Sequence, residues 1–153
     1  MREIEASVKV KFFPPEHGWM RIVLTYAGRD IPIHSSNVFD PYPALLDWLE
    51  KVFNHELPAR WHITEEETYI DFIADIDESG TERLRLVGEQ REDVYEDRTV
   101  YTFVDSPDVI GIAKEIYRSF KEMLDHEFEP KGWGRDLRAL DWERIDKYLP
   151  FVG

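Results

Sequence analysis

The 153-residue sequence contains no cysteine. This absence excludes disulfide bonds, zinc sites built on thiolates and a cysteine nucleophile, and it gives no sign of an oxidising compartment. The Gly-x-Ser-x-Gly turn of serine hydrolases and the glycine-rich loops that hold phosphates are also missing. None of the five histidines forms a His-x-His or His-Glu-x-x-His pair. With no catalytic or metal-binding signature, we expect neither a cofactor nor a metal.

No stretch of the sequence stays apolar for the roughly 20 residues that a membrane-spanning helix needs. The residues from Met1 to Lys9 carry charges where a signal peptide would have an apolar run, so we expect a cytoplasmic protein. The formal net charge is −13. This charge disfavours binding to nucleic acids and to anionic membranes, and it favours a basic protein partner.

The composition, 42% hydrophobic and 14% aromatic, is sufficient for a core within a single α+β domain covering residues 1–153. Apolar and polar residues alternate over Ile4–Phe12 and again over Trp19–Tyr26, which predicts two half-buried strands. A short third strand is predicted over Ile31–His34. It should lie at a sheet edge, because Pro32 has no N–H to donate.

Two amphipathic helices are predicted from cap-and-proline pairs followed by apolar stripes. Asp40-Pro41 begins the first helix, which ends at Phe53, and Ser106-Pro107 begins the second, which continues to about Phe128. A short final helix should start near Asp141. Trp133, between two glycines, is either an exposed aromatic residue or a plug between the long helix and the tail.

Four further strands are predicted over Arg60–Thr64, Thr68–Ile76, Thr81–Val87 and Thr99–Val104, with Gly88–Asp97 as a loop or a ragged hairpin end. A three-residue turn at Glu78–Gly80 would place Asp75 opposite Arg83 and Ile73 opposite Arg85. We therefore expect an α+β fold. It should consist of a mostly antiparallel meander of about six or seven strands, two main helices packed on one face, and a short C-terminal helix.

The same turn resembles the start of a calcium-binding loop, with oxygen ligands at Asp75, Asp77 and Ser79 followed by a glycine. The eighth position of such a loop is normally apolar and the twelfth is a bidentate glutamate. Here they are Glu82 and Leu86. A plain hairpin turn is the favoured interpretation.

The negative charge is concentrated between Glu65 and Asp97, which contains 13 acidic residues against three arginines. Carboxylates that share one strand face with nearby aromatic residues are typical of an electrostatically steered protein interface. The alternative is an ordinary solvated sheet surface, partly neutralised by Arg83 and Arg85. The predicted partner-binding residues are Glu65, Glu66, Glu67, Tyr69, Asp71, Asp75, Asp77 and Trp61.

The segments Tyr42-Pro-Ala-Leu-Leu-Asp-Trp-Leu-Glu and Leu57-Pro-Ala-Arg-Trp-His-Ile-Thr-Glu-Glu-Glu precede a long helix rich in Phe, Tyr and Ile. This pattern, over residues 42–124, resembles small bacterial proteins of unknown function, some of which are immunity proteins of polymorphic-toxin and contact-dependent inhibition systems. Glu67 departs from the glycine expected after the two glutamates. The resemblance implies a cytosolic protein that binds and blocks a toxin domain, and it implies no catalytic residues.

From these observations we expect a non-enzymatic acidic binding protein, such as an immunity protein or inhibitor, that masks a cationic site on its partner. One alternative is an enzyme or small-molecule binder whose pocket lies between the sheet and the helices. That pocket would be lined by Trp48, Phe72, Phe103 and Phe120, which could equally form ordinary core. Another alternative is a homo-oligomer that pairs through an edge strand.

Overall fold

The computed structural model describes residues 7–66, 68–90 and 99–149 and shows an α+β fold, as predicted. Within those residues, seven strands form two antiparallel sheets, one of three strands and one of four, so the prediction of a single meander is wrong. The strands are β1 Lys9–Phe12, β2 Trp19–Tyr26, β3 Arg29–Ser36, β4 Ala59–Thr64, β5 Thr68–Ile76, β6 Glu82–Gln90 and β7 Thr99–Ser106. The helices are α1 Tyr42–Phe53, α2 Val109–His126, α3 Pro130–Trp133, a 3₁₀ turn at Leu137–Ala139, and α4 Glu143–Asp146.

The first sheet has the order β1-β2-β3. β2 covers the predicted span, while β3 is longer than predicted at both ends. β1 begins at Lys9, and the start of the predicted Ile4–Phe12 strand lies outside the described residues. Pro32 lies in β3 at the edge of this sheet, as predicted from its missing N–H.

The second sheet has the order β4-β5-β6-β7. The predicted pairing across the β5–β6 hairpin is confirmed, with Asp75 opposite Arg83 and Ile73 opposite Arg85. Gly80 has a φ of +83°, the left-handed conformation that favours glycine in a turn. β6 continues to Gln90, so the first three residues of Gly88–Asp97 belong to the hairpin, the second of the two predicted alternatives. The remainder lies outside the described residues.

The two sheets do not merge because the free edge of β3 lacks the donors that a further strand would need. Pro32 has no N–H, and the N–H of His34 donates to Oε2 of Glu65 at 2.8 Å. Glu65 follows β4, so its carboxylate links the two sheets by a side-chain hydrogen bond in place of a backbone ladder. A second acceptor oxygen of the same carboxylate binds the hydroxyl of Thr68 at 2.8 Å.

The two main helices start one or two residues later than predicted. At α1 the cap position is Pro41, one residue after the predicted cap Asp40, and the Oδ1 of Asp40 accepts the N–H of Tyr42 at 3.0 Å. At α2 the capping side chain is Asp108, which accepts the N–H of Gly111 at 3.1 Å. Ser106, the predicted cap, instead accepts the N–H of Asp108. Among the described residues, no helix is both long and apolar enough to span a membrane.

α1 packs on β4, α2 packs on β1 and β6, and the two helices contact each other. Stacked aromatic pairs hold this interface, with ring centroids 4.7 Å apart for Tyr42 and Phe120 and 4.8 Å apart for Trp61 and Phe72. Trp133 is buried and contacts Tyr42 edge-on, so of its two predicted roles the structure shows the plug.

Candidate functional site

The outer face of the four-stranded sheet, where we predicted an acidic surface, carries charges of both signs. Asp71 is only 8% exposed. Its Oδ1 lies 2.8 Å from Nδ1 of His62 and 3.7 Å from Nε of Arg60. This carboxylate is buried and paired with side chains of the same chain, so the expectation that Asp71 is presented to a partner is not met.

Trp61 was predicted at the rim of this face and is instead fully buried. Its Nε1 donates to the carbonyl oxygen of Pro41 at 2.8 Å, and its ring stacks on Phe72. It therefore belongs to the core between β4 and α1, and the prediction that it contacts a partner is corrected. Tyr69 is half-buried, with its ring centroid 5.2 Å from that of His62.

Asp75 and Asp77 serve the β5–β6 hairpin. Asp75 is half-buried and accepts the N–H of Ile76 at 2.8 Å. Asp77 Oδ1 accepts the hydroxyl of Ser79 at 2.6 Å and the N–H groups of Ser79 and Thr81. These hydrogen bonds lower the pKa of Asp77, the Ser79 hydroxyl being the largest cause. Its lone pairs are used to close the turn, which is the plain hairpin favoured above.

The three consecutive glutamates Glu65, Glu66 and Glu67 do not form one exposed acidic group in the described residues. Glu65 is 15% exposed at its side chain and links the two sheets through His34 and Thr68. Glu66 is exposed. Glu67 lies outside the described residues. The eight predicted residues are thus not brought together on one open surface, because strand phase, core packing and local hydrogen bonds divide them.

A different exposed cluster lies where the two sheets approach each other. Trp19, Val38 and Phe39 are 40%, 77% and 58% exposed. Together with Ser36, Thr64, Glu65 and Glu66 they line a surface depression of about 130 Å³. We call Trp19, Val38 and Phe39 the apolar patch. Contiguous exposed apolar groups rimmed by polar residues mark interaction sites far more often than isolated ones do.

The loop that presents Val38 and Phe39 is fixed at both ends. Asn37 donates its backbone N–H to Gly18 O at 2.9 Å and its side-chain amide to Trp133 O at 2.6 Å. Asp40 accepts the N–H of Tyr42 with one carboxylate oxygen, while the other accepts Trp133 Nε1–H at 3.2 Å. The exposure of the two apolar side chains is therefore a property of a tied loop. A rigid apolar surface loses little conformational entropy on binding.

Sequence reasoning missed the apolar patch, although one signal was available. The signal did not lie in a helix or strand pattern, because Val38 and Phe39 belong to the connection between β3 and α1. It was limited to two adjacent apolar residues in that connection, Val38 and Phe39.

Among the described residues, the interior contains no arranged set of catalytic or metal-binding side chains. Ser35 Oγ and Tyr42 OH lie 2.7 Å apart in the core, but burial raises the pKa of Tyr42, so the phenol stays neutral and cannot act as a base. The described residues contain no group of three histidine or acidic side chains placed to hold a metal. The arrangement supports binding.

The predicted pocket between sheet and helices is filled. Trp48, Phe72 and Phe120 are buried core residues, whereas Phe103 lines a separate cavity of about 380 Å³ between β3 and the start of β7. The largely buried carboxylate of that cavity, Glu65, is already hydrogen-bonded. Most of the wall area is apolar, and the lining also includes the polar residues Arg29, Asp30, Thr68, Glu89 and Gln90.

The fold and surface thus define an α+β protein with a fixed apolar patch at the junction of two sheets. Comparisons of the chain with protein families, with curated proteins and with solved structures found no match. The resemblance to immunity proteins stays a prediction, and the functional interpretation rests on the geometry.

Proposed function

We propose that this chain is a non-enzymatic, cytoplasmic binding protein that docks a protein partner on its apolar patch. The observation that carries the proposal is the exposure of Val38 and Phe39, on a loop held by partly buried hydrogen bonds, beside the exposed Trp19 at the start of β2. Tryptophan and phenylalanine supply large contact areas, and tryptophan is among the residues that dominate binding energies at interfaces.

The partner is basic. The chain carries a net charge of −13, and exposed carboxylates of Glu16 and Glu66 stand close to the apolar patch, near Trp19 and on its rim respectively. Charges at a rim steer association more than they add affinity, so a cationic partner surface would be guided to the apolar centre. An immunity protein or inhibitor that masks a cationic site on a toxin domain is the class that fits the charge and the resemblance together.

The experiment places a photo-crosslinking benzophenone amino acid at position 39 in the native cell, with the same residue at position 100 as control. Val100 is a matched exposed apolar residue, 59% accessible against 58% for Phe39, on β7 of the other sheet. We expect a crosslink to a basic protein from position 39 only.

The purified partner is then titrated against Phe39→Asp and Val100→Asp. Phe39→Asp should weaken binding by roughly 30-fold or more, about 2 kcal/mol, since a central aromatic contact is lost. Both variants should keep their stability within about 0.5 kcal/mol, because both sites are exposed. Equal effects of the two variants on binding, or an acidic crosslinked protein, would refute the proposal.

A further inference from the structure

The outer face of the three-stranded sheet has the opposite charge to the protein as a whole. Along β1 and β2 the side chains alternate, with Val10, Phe12, Met20 and Ile22 buried and the intervening residues directed away from the core. The outward positions include three exposed cations, Lys9, Lys11 and Arg21. We call these three residues the cationic stripe.

The cationic stripe is not neutralised within the part of the chain that the structure describes. No described carboxylate lies within 4.0 Å of the charged group of any of its members. Asp30, the acidic residue on the same face, accepts the hydroxyl of Thr25 at 2.8 Å. Three cations without an ion-pair partner among the described residues, on one face of a chain with a net charge of −13, form a local surface for anions.

Arg21 is held in place by an aromatic ring. Its guanidinium carbon lies 4.2 Å from the ring centroid of Phe13, and Lys11 Nζ lies 4.9 Å from the same centroid. A guanidinium stacked on a ring loses less freedom when its N–H fork binds a carboxylate. The same stacking occupies Phe13, so the ring is not a free platform for a nucleobase.

The distance between successive backbone levels of the cationic stripe matches the distance between alternate residues of an extended acidic peptide. Lys9 and Lys11 are two residues apart on β1, and the N–H of Phe13 donates to Arg21 O at 2.9 Å, which sets Arg21 level with Phe13. The backbone positions of the three cations therefore stand at successive levels about 7 Å apart, two residues of strand rise each. Arg21 is on the neighbouring strand, and its guanidinium lies against the same ring as Lys11 Nζ. An extended peptide with carboxylates at alternate positions repeats at the same distance.

Such a peptide would lie across the face and not add to the edge of β1. The N–H of Val10 donates to Glu115 Oε1 at 3.3 Å, and its carbonyl oxygen accepts the hydroxyl of Ser119 at 2.7 Å. Side chains of α2 thus occupy edge groups that an added strand would require. The three cations line a surface depression together with Val23 and Pro32, so a peptide can reach them from the face of the sheet.

We propose that the cationic stripe binds an extended acidic peptide segment with carboxylates at alternate positions. This site adjoins the apolar patch, since Trp19 and Arg21 lie two residues apart on the outward face of β2, but it involves different residues and does not depend on the proposed function. Nucleic acid is less favoured, because the ring of Phe13, on which a base would stack, is already covered by Arg21.

The test uses three fluorescein-labelled probes of equal charge: an alternating Glu-Thr peptide, a peptide of the same composition with its glutamates in one block, and oligouridylate. Fluorescence anisotropy is measured with the full chain in about 50 mM and 300 mM salt. We expect the alternating peptide to bind most tightly and to lose affinity several-fold at the higher salt, since exposed charge pairs are screened.

Each single alanine replacement at Lys9, Lys11 or Arg21 should weaken binding of the alternating peptide about threefold, and the triple glutamate variant should abolish it. Lys51→Ala, at an exposed lysine in the last turn of α1, is the matched control and should bind normally. Phe39→Asp should also bind normally, which separates this site from the proposed function. Equal binding of the two peptides, tighter binding of oligouridylate, or binding that survives the triple substitution would overturn the proposal.

Discussion

Replacing Glu65 by alanine should destabilise the protein, whereas the same replacement at the neighbouring Glu66 should not. The carboxylate of Glu65 accepts the N–H of His34 and the hydroxyl of Thr68, both at 2.8 Å, and so joins β3 of one sheet to the β4–β5 turn of the other. Glu66 is exposed, and no hydrogen bond or ion pair to a described residue is found for it. The two residues are alike in sequence and opposite in role.

The size of the effect follows from the two bonds. A hydrogen bond to a charged group contributes about 1.5–3 kcal/mol when its partner is left unsatisfied in the interior. Glu65 retains some contact with water, its side chain being 15% exposed, so we take about 2 kcal/mol for the pair of bonds together. For a chain of this length that corresponds to a fall in Tm of roughly 4–8 °C. Glu66→Ala should stay within about 0.5 kcal/mol.

Urea unfolding followed by circular dichroism, with thermal unfolding in parallel, measures both variants against the native chain. Glu65→Gln should recover part of the loss, because its amide oxygen can still accept one of the two bonds. If Glu65→Ala and Glu66→Ala have the same unfolding free energy, the carboxylate does not connect the sheets and the explanation for their separation fails.

Two further predictions concern the remaining acidic residues. Asp71→Ala should lower the unfolding free energy by roughly 1–3 kcal/mol, because it leaves His62 without its 2.8 Å partner. Asp75→Ala, at a half-buried position, should lower it by at most about 1 kcal/mol. Equal losses of the two variants in urea unfolding would contradict this difference. The pKa of Asp77 is lowered from 3.8, so an NMR titration should give a midpoint below that value, and Ser79→Ala should raise it. Since the folded pKa lies below the unfolded one, the stabilising contribution of Asp77 is present above pH 3.8 and is lost as the pH falls through the folded pKa. A midpoint unchanged by Ser79→Ala would show that the hydroxyl is not the main cause.

Charge counting predicted an open acidic surface that the described residues do not form, for a physical reason. The concentration of acidic residues after Glu65 is real, but a carboxylate in a strand or turn has backbone and side-chain donors within reach. Asp71 and Asp77 use those donors and so contribute to structure. The surface that remains open to a partner depends on which side chains find no internal contact, and this depends on neighbours distant in sequence.

Periodicity and turn chemistry determined the local elements of this protein. Alternation over Trp19–Tyr26 and over Thr68–Ile76 set the two strands, Gly80 set the hairpin register, and Asp40 set the start of α1. These features depend on residues within a few positions of each other, so they can be deduced from the order of side chains alone.

The division into two sheets and the position of the apolar patch were decided only by the tertiary structure. His34 and Glu65 are 31 residues apart, and Asn37 and Trp133 are 96 apart, yet their hydrogen bonds keep the sheets separate and fix the loop that exposes Phe39. No local pattern records such pairings, because each depends on how the whole chain packs.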